Sequence, residues 1–178
     1  WRMELHHRWL SRSLGDWGIK IYAIGFALLS FARLYTLTAT ALGSEGSLAV
    51  DRNLLRVLAM VVAIPVVYTF YSVTRYFGYK RALGIDHFDP AYRTRPFVRK
   101  GIFRWTRNGM YTFGLAIVWL PGLLWASTPA LVSAAFSHLY IWVHYLCTEL
   151  PDMRRIYGTA EVDGETEWAA TGGKGDGT

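Results

Sequence analysis

Three short stretches of the chain hold most of the residues able to do chemistry. The first runs from Gly84 to Pro90 and contains Asp86, His87 and Asp89. An imidazole beside a carboxylate can accept a proton near neutral pH. The same run also suits an Asx-type turn leading into Pro90. Metal ligation is not expected here, because Asp-His-x-Asp lacks a second spaced pair of ligands. The second stretch, Gly101 to Tyr111, contains Arg104, Arg107, Asn108 and Tyr111. A planar guanidinium such as that of Arg107 can grip a carboxylate through two parallel hydrogen bonds, and Tyr111 offers an aromatic face to a cation or a base. The third, His144 to Gly158, contains His144, Glu149, Asp152 and Tyr157. A glutamate at the end of an apolar helix meets the negative end of the helix dipole, so Glu149 calls for a specific partner.

These stretches sit between long apolar runs. Ile21 to Leu42, Leu54 to Val73, Tyr111 to Ala126 and Ala130 to Cys147 are almost free of charge. Crossing a bilayer takes about 20 helical residues, with about 17 as a practical minimum. The first two runs satisfy this. The last two are shorter and are separated only by Ser127, Thr128 and Pro129, which predicts a tight helical hairpin. Soluble helices carry a polar face, and these runs mostly lack one. The predicted fold is therefore an all-α membrane protein. It has about four transmembrane helices, an N-terminal interfacial helix over residues 1–20 and a C-terminal helical hairpin.

Charge sets the orientation. Nine Lys or Arg residues lie between Arg75 and Arg107, against only Asp86 and Asp89. The connection after the first apolar run carries Glu45, Asp51, Arg52 and Arg56, which balance. The positive-inside rule then places both termini and the long basic connection in the cytoplasm. All three polar clusters emerge on that side. The basic excess matches a membrane face turned toward anionic headgroups and gives no reason to expect nucleic acid. The setting expected is a bacterial inner membrane or an ER-like membrane.

Residues 1–20 mix Trp1, Trp9 and Trp17 with Arg2, Arg8, Arg12 and Lys20, the pattern of a helix lying at headgroup depth rather than of a secretory signal. Arg33 interrupts the first apolar run and is expected to face the bundle, since a charge at that depth costs about 2.5–3.5 kcal/mol. Pro65 and Pro121 are expected to kink their helices. Cys147 has no disulfide partner and reads as a packing residue, and His138, deeper than His144, as a structural one. Residues 1–158 read as one domain, with 101–158 its hairpin region. Residues 159–178, rich in Glu, Asp and Gly, read as a flexible polar tail.

The order of these pieces resembles the integral-membrane methyltransferases that include phosphatidylethanolamine N-methyltransferases and isoprenylcysteine carboxyl methyltransferases. That family carries Gly-hydrophobic-Phe/Tyr-x-x-x-Arg-His-Pro-x-Tyr before a helical hairpin and Glu-Glu-x-x-Leu-x-x-x-Tyr/Phe-Gly after it. The chain has Gly101-Ile102-Phe103, then Arg107-Asn108-Gly109-Met110-Tyr111, and later Glu149, Met153 and Tyr157-Gly158 at matching intervals. It departs from the pattern with Asn108 for the histidine, Gly109 for the proline, and Leu150 in place of the second glutamate. The resemblance implies S-adenosylmethionine as donor, bound by Gly101, Arg107, Asn108, Tyr111, His144 and Glu149. It also implies a lipid substrate in the bilayer, with a headgroup amine favoured as acceptor by Asn108 and the count of four segments. An amine must lose a proton before it attacks, and His87, Asp86 and Glu149 are the catalytic candidates. The alternatives are the same fold acting on an isoprenylcysteine carboxylate or a small thiol, and a membrane scaffold without activity.

Overall fold

The computed structural model describes residues 2–93, 95–158 and 162. All regular structure among the described residues is helical, as expected for an all-α membrane protein. Three helical stretches are long and apolar enough to cross a bilayer: Trp17–Gly43, Arg52–Phe77 and Thr128–Tyr157. A fourth apolar stretch, Gly109–Leu124, is shorter. In Trp17–Gly43 only 6% of the most apolar window is buried by protein. The exposed Leu28, Leu29, Phe31 and Tyr35 have no water-compatible face and need lipid around them.

In chain order, α1 is Arg2–His7, α2 Trp9–Leu14, α3 Trp17–Gly43 and α4 Arg52–Ser72. A wide π-type turn, Val73–Phe77, extends α4, and α5 is Tyr79–Ala82. After a loop region come α6 (Gly109–Thr112), a 3-10 stretch (Gly114–Trp119) and α7 (Leu120–Leu124). The chain ends on α8 (Thr128–His144), a second π-type turn (Tyr145–Glu149) and α9 (Leu150–Tyr157).

The chain divides into two compact units. One comprises 27–70 and 110–143. Its core joins Leu55, Ala59, Leu123 and Ala126, with a second cluster of Leu37, Val118 and Ala134. Fully buried Ala41, Ala130 and Ala134 let helix backbones approach closely, which is how helices associate without a hydrophobic drive between them. A Cβ on Gly122 would lie 2.7 Å from the Leu131 side chain and 2.9 Å from its backbone nitrogen, so α7 and α8 meet at a glycine. The loop after α3 is pinned by Gly46 N–H to the Trp125 carbonyl (3.0 Å), Leu48 N–H to the Ala126 carbonyl (2.9 Å) and the Ser44–Ser127 hydroxyl pair (2.7 Å). His138 accepts the Trp119 indole N–H at Nδ1 (3.2 Å), the structural role expected of it.

The hairpin differs from its sequence expectation. Its first arm is α6, a 3-10 stretch and α7 rather than one helix. Gly109, Gly114, Pro121 and Gly122 explain this, since each weakens or breaks a regular α-helical ladder. Its second arm runs past Cys147 to Tyr157. The π-type turn ends two residues before Pro151, and α9 carries that proline in its first turn, where its missing N–H is tolerated.

The other unit comprises the described residues of 1–26, 71–109 and 144–178. The expected single N-terminal helix is two helices, broken at Arg8 with φ 50°, and Trp17 already begins α3. The break is held by Glu4, which is buried. Its carboxylate accepts the Leu10 N–H (2.8 Å), the Ser11 N–H (3.3 Å) and the Ser11 hydroxyl. Glu4 thus caps α2 from the preceding helix, satisfying amides that a helix start leaves open. The aromatic pairs Phe77–Phe103 (4.6 Å), Phe97–Tyr157 (4.9 Å) and Tyr22–Phe88 (5.6 Å) hold this unit together.

Candidate active site

The three polar clusters fold into this second unit, with Met110 and Tyr111 falling in the other. In the first cluster Gly84, with φ 77°, turns the chain into a 3-10 turn, Ile85–His87. Asp86 and His87 are both buried, 5% and 4% exposed. One Asp86 carboxylate oxygen lies 3.1 Å from His87 Nδ1, and the other accepts the Tyr157 hydroxyl at 2.8 Å. Arg93 Nε donates to the Asp86 carbonyl at 2.9 Å. Burial by itself pushes the Asp86 carboxyl up. The hydrogen bond and charge of His87, the Tyr157 hydroxyl and the Arg81 charge outweigh it and hold the carboxyl below its ordinary value. The Asx turn before Pro90 is also present, but Asp89 makes it, accepting the Ala91 N–H at 2.9 Å. The Asp86 side chain instead faces His87 and Tyr157.

In the second cluster Gly101 has φ +64°. A Cβ there would lie 2.5 Å from Ser72 Oγ and 2.9 Å from Tyr76. Ser72, fully buried, accepts the Ile102 N–H at 3.0 Å. A Cβ on Gly109 would lie 2.9 Å from the Ile102 side chain. Both glycines therefore exist for close approach, and the visible role of Gly101 is packing. Arg107 donates to the Tyr145 hydroxyl and, at 2.9 Å, to the Val162 carbonyl. Val162 is itself fully buried. The rest of the expected polar tail lies outside the described residues. Asn108 and Tyr111 are half-buried.

In the third cluster His144 closes α8, and Glu149 ends the π-type turn that follows. Both are half-buried. In a turn with i→i+5 hydrogen bonds, residues five apart lie nearer one face than in an α-helix. Arg107 reaches this turn through Tyr145. Two elements of this unit carry such π-type turns, Val73–Phe77 and Tyr145–Glu149, and turns of this kind gather at functional sites. α9 is clamped to α1 by Arg2 Nε on Asp152 (3.2 Å) and by Arg155 on His6 Nδ1 (2.9 Å).

The structure thus joins Asp86 to His87 and Arg107 to the turn that carries Glu149. Tyr145, Ser72 and the Tyr157 hydroxyl are additions that sequence reasoning missed. Tyr157 was visible as a motif position, and nothing local marked its partner. Among the described residues, no group of three His, Cys, Asp or Glu is placed to hold a metal ion.

A helical membrane unit that gathers these motifs is that of an integral-membrane methyltransferase. A family model for phospholipid methyltransferase matches residues 54–160, more than half of the chain and all three clusters, and the chain belongs to that family. No curated protein and no solved structure matches it.

The donor set suits an amino-acid-bearing cofactor. Arg107 uses two of its five N–H groups on Tyr145 and Val162, which leaves others for a carboxylate. Glu149 supplies the opposite charge in the same unit.

Proposed function

We propose that this methyltransferase uses S-adenosylmethionine to methylate the amine of a membrane lipid headgroup such as phosphatidylethanolamine. The observation that carries the reading is the buried Asp86–His87 pair. An amine arrives protonated and must give up a proton before it attacks, whereas a carboxylate acceptor arrives as an anion. A buried imidazole facing an ionised carboxylate is suited to receive that proton.

S-adenosylmethionine, when bound, supplies an electrophilic methyl group on a sulfonium centre. Arg107 would hold its carboxylate, Glu149 its ammonium group, and Asn108 and His144 the remaining polar surfaces, with the Gly101 turn alongside. His87 would take the acceptor's proton, with Asp86 behind it. Much of the rate would come from holding donor and acceptor in line. The basic connection and both termini would face the cytoplasm, in a bacterial inner membrane or an ER-like one.

Incubation of the purified protein with methyl-labelled S-adenosylmethionine and a total lipid extract tests this reading. The expected product is a phospholipid labelled on its headgroup nitrogen. Label released by mild base as a methyl ester would point to a carboxylate acceptor and reject the amine. Absence of any labelled product, together with absence of S-adenosylmethionine binding, would reject the enzyme.

A further inference from the structure

The family pattern admits Tyr or Phe at the position of Tyr157. Packing needs only the ring, which lies 4.9 Å from that of Phe97. In this chain the hydroxyl does something a phenylalanine could not: it donates to Asp86 at 2.8 Å. A carboxylate this deeply buried is costly unless its oxygens are hydrogen-bonded. Here one oxygen takes Tyr157 and the other faces His87 Nδ1. Two partners on opposite oxygens fix the carboxylate plane. A fixed, ionised Asp86 requires the proton of neutral His87 to sit on Nδ1, which leaves Nε2 as the basic nitrogen.

We propose that Tyr157 is a positioning residue for the proton transfer from the acceptor: its hydroxyl locks Asp86, and Asp86 in turn sets the tautomer and ring orientation of His87. This rests on the reading of His87 as the proton acceptor. α9 is held for the task at two points, Arg2 on Asp152 and Arg155 on His6. The same helix follows directly on the turn that carries Glu149, so one element sets both the donor-side and acceptor-side groups.

Arg81 bears on the Asp86–Tyr157 pair, acting on the Tyr157 hydroxyl as well as on Asp86. On the loop of Asp86, Asp89 is engaged with Ala91 and Arg93 with the Asp86 carbonyl. From α5, Arg81 contributes its charge while donating to the carbonyls of Arg95 and Pro96. α1 packs on the same turn. There Glu4 is committed to α2, Arg2 to Asp152 and His6 to Arg155, and His7 is exposed.

The experiment compares Tyr157→Phe, His87→Ala, Asp86→Asn and the double variant Tyr157→Phe/Asp86→Asn with the wild-type protein in lipid nanodiscs. S-adenosylmethionine affinity and the pH profile of turnover are measured on the lipid that the wild type labels. Tyr157→Phe should keep donor affinity within about twofold and lose about tenfold in turnover near pH 7, a modest part of what general-base catalysis contributes. Without the tyrosine's donor bond Asp86 bears more charge toward His87. The loss in turnover should therefore vary across the pH profile rather than being uniform. The double variant should be no slower than Asp86→Asn alone, since the proposed action of the hydroxyl on His87 runs through that carboxylate. Wild-type turnover and profile in Tyr157→Phe, with His87→Ala impaired, would overturn the positioning role and leave the base reading intact. Full activity in His87→Ala would overturn both. A loss in Tyr157→Phe that is equal at every pH and accompanied by weaker donor binding would mark a merely structural tyrosine and overturn the proposal.

Discussion

Replacing Gly101 by alanine tests whether this motif glycine is set by packing. Two costs can be worked from the structure. A φ of +64° is left-handed, which costs an L-residue about 1–2 kcal/mol. The new methyl would then sit 2.5 Å from Ser72 Oγ, 2.8 Å from Ser72 Cβ and 2.9 Å from Tyr76. Ser72 cannot simply turn away, since it is fully buried and its hydroxyl accepts the Ile102 N–H. Overpacking of this kind costs about 1–3 kcal/mol. If Ser72 swings out, the stranded Ile102 amide costs a similar about 1–3 kcal/mol instead. The sum is roughly 2–5 kcal/mol. Gly78→Ala is the matched control. At φ +86° and ψ 136°, with nothing within 4 Å of the added methyl, it meets a backbone penalty alone, about 1–3 kcal/mol. The assay is the thermal unfolding midpoint in mild detergent at one scan rate. Gly101→Ala should fall clearly below Gly78→Ala. A Gly101→Ala midpoint equal to or above that of Gly78→Ala would refute the packing account and return the glycine to the cofactor.

Arg107→Ala and Glu149→Gln should each weaken S-adenosylmethionine binding about tenfold or more, the cost of leaving one member of a buried charge contact alone, and isothermal titration would show it. Labelling from one side of the membrane should distinguish a cysteine placed near Ser47 from one near Arg93 in a Cys147→Ser background, the native Cys147 being exposed. Labelling of both from the same side would contradict the charge-based topology. The Asp86 carboxyl is held below its ordinary value of 3.8. Its stabilising contribution is therefore fully present above that value and is lost as the pH falls through the depressed one. The gap in unfolding midpoint between wild type and Asp86→Asn should stay constant from pH 7 to about pH 5 and close only under stronger acid.

The apolar runs could be read from sequence because the charges are segregated so sharply, and the basic connection between Arg75 and Arg107 needs no tertiary information to be recognised. The broken first arm of the hairpin was also written in the chain, in Gly109, Gly114, Pro121 and Gly122, although hydropathy alone reads that stretch as continuous. The break at Arg8 was not. No property of arginine favours a left-handed φ. What holds it is the Glu4 carboxylate reaching forward to the amides of α2, a contact that exists only once the two helices are folded against each other.

The site divides along the same line. Asp86 and His87 announce themselves by type and adjacency, but Tyr157 lies 71 positions away, and Arg2 meets Asp152 across 150. Such pairings depend on which helices return to the same face. The motif positions separate as well once their surroundings are known. Gly101 and Gly109 are small because Ser72 and Ile102 come within 3 Å of where a side chain would begin, and that demand would exist in an inert protein of the same fold. Arg107 is different. A guanidinium whose known partners are a tyrosine hydroxyl and a backbone carbonyl has its charge matched by neither of them. Packing alone would be served as well by a neutral donor. Among the described residues no opposite charge pairs with Arg107, and the carboxylate of a bound amino-acid cofactor would match it.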